Sequence, residues 1–196
     1  MKESIRNFWG KTYLSFRQKR DMWLKPACDL LIKYRVSANH VTGFRLFLGL
    51  LTPMLLGWNL TVVLILMALN LLLDGIDGGI ARISALSSKE GKLFDLFVDH
   101  SVFIFFVLGL VYWKLIDGFL AAFYLVNYLI IFFINFQSYN LTSEAALMSK
   151  SKYFVLIAFL VLSVFGLNWL DYSCLVAGVY LFVLNIFTVQ FYIRKL

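Results

Sequence analysis

Six apolar stretches, at about 40–57, 60–83, 91–113, 118–138, 153–168 and 172–193, constrain this 196-residue chain more than any other feature. Each comes near the ~20 residues that an α-helix needs to cross a bilayer, where a spanning segment must satisfy every backbone N–H and C=O within itself. With 61% apolar residues and a mean hydropathy of +0.81, the sequence leaves no room for a second, soluble module. The expected fold is an all-α integral membrane protein. An N-terminal interfacial amphipathic segment over residues 1–36 precedes a domain of six transmembrane helices over residues 37–196.

Residues 1 to about 24 place Ile5, Phe8, Trp9, Tyr13 and Phe16 at helical spacing, with Arg6, Lys11, Arg17 and Lys19 mostly elsewhere around the helix. This is the pattern of a helix lying in the membrane interface. Pro26 is expected to interrupt it, and Asn39 to cap the first spanning helix. A net charge of +7 raises nucleic acid as a partner, but half of the 18 Lys and Arg fall in the first 35 residues, interleaved with aromatics. A membrane surface explains that distribution, and no nucleic-acid partner is expected. No continuous apolar core of about 7 to 15 residues marks Met1 to Lys25 as a cleavable signal peptide.

Six spans return both termini to one side, and a cytoplasmic N-terminus leaves Lys114 as the single basic residue on the far side. Cys28 and Cys174 then fall on opposite faces, so no disulfide is expected.

Against this hydrocarbon background stand Asp74, Asp77, Asp95 and Asp99. On helices, Asp74, Asp77/Gly78 and Ala81/Arg82 form one stripe and Gly91, Asp95 and Asp99 another, so two facing helices bring four acids to one point. Such carboxylates repel and each costs a few kcal/mol to keep charged near a bilayer, so the cluster calls for cations. Arg82 is the one strong base within it. With no Cys or His beside the acids, the ligand set is all oxygen and suits Mg²⁺ or Mn²⁺. Gly78, Gly79, Ala81 and Gly91 leave room for a phosphate-bearing ligand. In the assigned orientation the cluster faces the cytoplasm. A cation transporter or channel is the competing class, but its acids belong near the midplane; here they crowd one face beside glycines and an arginine.

The spacing D-x2-D-G-x2-A-R-x8-G-x3-D-x3-D from Asp74 to Asp99, 26 of 196 residues, resembles the CDP-alcohol phosphotransferase (CDP-alcohol phosphatidyltransferase) family of integral membrane phospholipid synthases. Asn39-x2-Thr42-x2-Arg45 is similar to a weaker pattern of the same family. The resemblance implies transfer of a substituted phosphate group from a CDP-linked donor to an acceptor alcohol, with release of CMP. It implies two divalent ions, Mg²⁺ or Mn²⁺, with Asp74 and Asp95 shared between them and Asp77 and Asp99 each completing one site. Asp99 would also be the catalytic base. Asn39, Thr42, Gly78, Ala81, Arg82 and Ser88 would contact the CDP moiety, and for Arg82 a guanidinium pairs bidentately with phosphate. A homodimer is implied as well.

A chain near 200 residues resembles the branch using CDP-diacylglycerol; the alternative is a CDP-headgroup donor with diacylglycerol as acceptor. Lys150 and Lys152 are candidates for binding the acceptor, beside their reading as positive-inside anchors. Of the other polar residues within spans, Asn70 is placed to orient Asp74. Asn127, Asn135 and Asn185 are expected to make helix–helix hydrogen bonds. His40 and His100 are read as interface residues.

Overall fold

A computed structural model describes residues 20–84, 88–137 and 144–193. The described residues are helical and contain no strand. Helix α1 covers 20–33, followed by α2 (Ala38–Leu51), α3 (Leu60–Ile83), α4 (Lys89–Tyr112), α5 (Gly118–Gln137), α6 (Glu144–Phe165) and α7 (Leu170–Ile193). Among the described residues, three helices are long and apolar enough to cross a membrane, within α3, α4 and α7, with shorter apolar helices at Gly118–Phe133 and Ser151–Phe165. The chain divides into two compact units, Met1–Leu51 with Ile65–Val102, and Thr52–Leu64 with Phe103–Leu196.

The first unit is built on a close seam between α1 and α3. Gly75 and Gly79 lie one turn apart on α3, and a Cβ added to either would stand 2.7 Å from Leu24 Cδ1 or Cys28 Sγ, respectively. Only bare backbone lets α1 approach this near. Cys28, Val41, Ile76 and Ile80 form the buried core, with Leu24, Ala27, Leu31 and Ile32 packed on it. Burial, reinforced by the nearby charge of Asp29, pushes the Cys28 thiol up. The protonated sulfur faces the Ile76 carbonyl at 3.6 Å.

Three expectations for the N-terminal third of the chain change. Residues 1–19, with most of the amphipathic pattern, lie outside the described residues, but α1 runs straight through Pro26. Proline there costs one hydrogen bond, to the Met22 carbonyl, and the α1 side chains buried on α3 outweigh it. The cap of α2 is Ser37, not Asn39: Ser37 Oγ accepts from His40 N and His40 Nδ1 accepts from Ser37 N, each at 3.3 Å. That reciprocal pair is a capping box with imidazole in the usual place of Glu or Gln, and it gives His40 a local role. The first apolar stretch is also not one helix. α2 ends at Leu51 and a 3₁₀ turn, Thr52–Leu55, carries Pro53, because the residue before a proline is pushed out of the α region.

In the second unit the expected hydrogen bond between spans is present. Asn185 Nδ2 of α7 donates to Asn127 Oδ1 of α5 at 3.0 Å, and Asn127 Nδ2 turns back to the Phe123 carbonyl at 2.8 Å. The side chain of Asn135 lies outside the described residues. Rings fill the interior: Phe103 meets Tyr124 edge-on at 6.1 Å between centroids and Phe106 meets Phe159 at 5.0 Å. Asp117 caps α5 through the amides of Phe119 and Leu120, while its own amide donates to Asp171 Oδ1 at 2.7 Å. Helix α6 begins at Glu144, ahead of the apolar stretch expected from about 153. Cys28 and Cys174 are free and buried.

Candidate active site

All four expected acids converge in the first unit, and they do so around a side chain from α2. Arg45 is 2% exposed and its Nη1 lies 2.7 Å from both Asp77 Oδ2 and Asp95 Oδ1. Its Nη2 lies 2.9 Å from Asp74 Oδ1 and 2.5 Å from Asp99 Oδ1. A planar fork with two donors on each terminal nitrogen suits this geometry, and a point-charge ammonium does not. The base at the centre of the cluster is therefore Arg45, with Arg82 at its margin.

The carboxylates are not equivalent. Asp77 is 4% exposed, and its Oδ2 is held by Thr42 Oγ1 at 2.9 Å as well as by Arg45. Asp74, Asp95 and Asp99 are 30%, 44% and 41% exposed, and one ligand oxygen from each lies within 4.8 Å of the others. Three oxygens so grouped can hold a divalent metal, and the donor chemistry fits a hard ion. Asp77 stands outside that trio. Asn70 does not orient Asp74; its Nδ2 donates to the Arg45 carbonyl at 2.8 Å and ties α3 to α2.

Beside the acids lies a cavity of about 320 Å³. Asn39, Thr42, Gly78, Ala81, Arg82 and Ser88, the six positions expected around a CDP moiety, all line it, together with Asp77, Asp95, Ala38, Gly91 and Lys92. Two glycines keep its walls open. A Cβ on Gly78 would stand 3.1 Å from Arg82 Nη1, and one on Gly91 would stand 3.2 Å from Ser88 Oγ and 3.3 Å from Asn39 Oδ1. Gly79, expected to make the same kind of space, instead faces α1. Ser88 has a local task too, since its Oγ accepts the Gly91 amide at 2.9 Å and caps α4. Arg82 Nη2 is held by Asp21 Oδ1 of α1 at 2.6 Å.

The remaining candidates are not among the residues that line the cavity. Lys152, in the second unit, places its Nζ 5.8 Å over the Phe103 ring, and the side chain of Lys150 lies outside the described residues. His100 is buried at 7% exposure, not at a surface.

Residues 35–190 match CDP-alcohol phosphatidyltransferase. The chain belongs to the CDP-alcohol phosphatidyltransferase family. This is a family of transferases of substituted phosphate groups that use a CDP-linked donor, an alcohol acceptor and a divalent metal, and family and long apolar helices together point to a membrane protein. The chain is also 40% identical over 78 residues to an uncharacterized protein of Aquifex aeolicus (strain VF5), a match covering 39% of this chain and 40% of that relative.

Arg45 is what reading the sequence missed as part of the site. Its signal was present in Asn39-x2-Thr42-x2-Arg45, where Thr42 and Arg45 lie one turn apart on one face of α2. What pattern alone lacked was the docking of that face on the acids.

Proposed function

We propose that this CDP-alcohol phosphatidyltransferase transfers a phosphatidyl group from CDP-diacylglycerol to an acceptor alcohol and releases CMP, serving phospholipid synthesis. The observation that carries the reading is the cavity: the six residues expected around CDP line one space with Asp77 and Asp95 on its wall. In this reading Arg82 pairs with a donor phosphate, Asn39 and Thr42 contact the nucleotide from α2, and Gly78 and Ala81 admit it close to the α3 backbone. Asp74, Asp77, Asp95 and Asp99 hold two ions, Mg²⁺ or Mn²⁺. Bound there, the ions neutralise charge on the pyrophosphate and on the leaving nucleotide. Asp99 takes the proton of the acceptor hydroxyl. Lys150 and Lys152 are the candidates for an anionic group on the acceptor.

Around the site we place six spans, with both termini and the acids on the cytoplasmic side, residues 1–36 at the interface, and two copies per assembly. Crosslinking in native-like bilayers that captures only monomer removes the dimer.

The test is CMP release by purified protein supplied with CDP-diacylglycerol and a panel of acceptor alcohols. Release should require one class of acceptor and stop in excess EDTA. Full release in EDTA would sink the metal-dependent account, and failure to bind any cytidine nucleotide would sink the substrate class.

A further inference from the structure

A buried guanidinium is retained against its desolvation cost only where anions meet it well, and the four contacts of Arg45 meet that condition at 2% exposure. Three of its partners, Asp74, Asp95 and Asp99, are the residues whose oxygens are grouped closely enough to ligate a metal. One organic cation and any divalent ion therefore draw on the same carboxylates. Arg45 also keeps an unmet demand, since its buried Nε has no hydrogen-bond acceptor. The pose satisfies the two Nη atoms and leaves a third donor to gain a partner elsewhere. Four aspartates and one arginine leave the centre with three negative charges, one fewer than are needed to balance two divalent ions; four aspartates alone would balance them.

We propose that Arg45 is a built-in counter-ion. It holds the four carboxylates together before metal binds, competes with divalent ions for three of them, and leaves the full metal complement short of one negative charge. That charge comes from an anionic ligand in the adjoining cavity, so metal and ligand bind cooperatively. The pair of ions and the identification of the ligand as a cytidine diphosphate rest on the functional reading above; the competition between Arg45 and metal does not.

Mn²⁺ binding, read by the loss of the free-ion electron paramagnetic resonance signal, tests both halves on purified wild type, Arg45→Gln and Arg45→Lys. Without nucleotide, Arg45→Gln should bind Mn²⁺ about tenfold more tightly than wild type, a typical size for such coupling, and should melt at a lower temperature in EDTA. Lysine keeps the charge but cannot span four carboxylates, so Arg45→Lys should fall between the two. Soluble CDP should tighten Mn²⁺ binding in wild type and do so less in Arg45→Gln. Equal or weaker Mn²⁺ affinity in a folded Gln variant overturns the proposal. If that variant does not fold, the Lys variant decides, affinity above wild type supporting the proposal and affinity at or below it overturning it. CDP that binds neither protein overturns the functional reading, while the nucleotide-free titration still judges the counter-ion.

Discussion

Asp99 reaches the centre with 41% of its side chain exposed and its Oδ1 on Arg45, which leaves it open to a substrate in a way that Asp77, at 4%, is not. Asp99→Asn keeps size and shape while removing the proposed base and one negative charge. CDP binding should largely survive on Asp74, Asp77, Asp95 and Arg82, while CMP release falls by roughly 10²-fold or more, the scale of lost acid–base catalysis. Near-normal release from a variant that binds CDP would remove Asp99 as the base. Arg82→Lys is expected to weaken donor affinity about tenfold by losing the planar fork; an unchanged apparent affinity counts against that contact. Residue roles were legible to the extent that they follow from periodicity within one helix, which groups Asp74 with Asp77 and Asp95 with Asp99. Arg45 was not, because no periodicity links α2 to α3. For the same reason Gly78 and Gly79 looked alike in sequence, yet neighbouring positions on a helix point about 100° apart, one to the cavity wall and one to Cys28.

Helices α1 and α3 meet backbone to side chain, so their seam should respond sharply to a single methyl group. Gly79→Ala places a Cβ 2.7 Å from Cys28 Sγ and should destabilise the protein by about 1–3 kcal/mol, the usual cost of overpacking. Cys28→Ala in the same chain removes the sulfur and should restore most of the loss; additive melting shifts in the double variant would show that the two residues do not share the strain. The raised thiol pKa at Cys28 lowers its thiolate fraction at any pH below it. Alkylation by iodoacetamide at pH 8 should therefore be slower than for a free cysteine, and as fast only once the protein unfolds. At this scale the bounds of α3 were read correctly from its apolar run, whereas Pro26 was expected to interrupt a helix it does not, and the break of the 40–57 stretch at Pro53 was missed. Pro26 stays within α1, where packing on α3 repays the missing hydrogen bond, and Pro53 closes off α2 in a 3₁₀ turn. A proline's effect depends on what its neighbours bury, and that is absent from the local sequence.

For the whole molecule, the apolar runs made the helical class evident, but sidedness rests on charge. Helix α4 tests it alone, because its 24 residues extend about 36 Å, beyond the ~30 Å of hydrocarbon in a bilayer. Glu90 lies in its first turn, and Lys114 follows its last. If the chain obeys the positive-inside rule, these positions sit on opposite faces, Glu90 with the acids and the cytoplasm, Lys114 outside. Both native cysteines are buried, at 1% and 0% exposure, so background labelling should be low. Lys114 already carries a left-handed φ of 55°, so cysteine there brings little additional backbone strain. A membrane-impermeant maleimide applied to intact cells should label Lys114→Cys at once and Glu90→Cys only after permeabilisation. The reverse pattern would put the acid cluster outside, away from the cytoplasmic nucleotides on which a CDP-linked donor depends. Immediate labelling of both variants would show that α4 does not cross the membrane, since one helix cannot span a bilayer and present both ends to the same compartment.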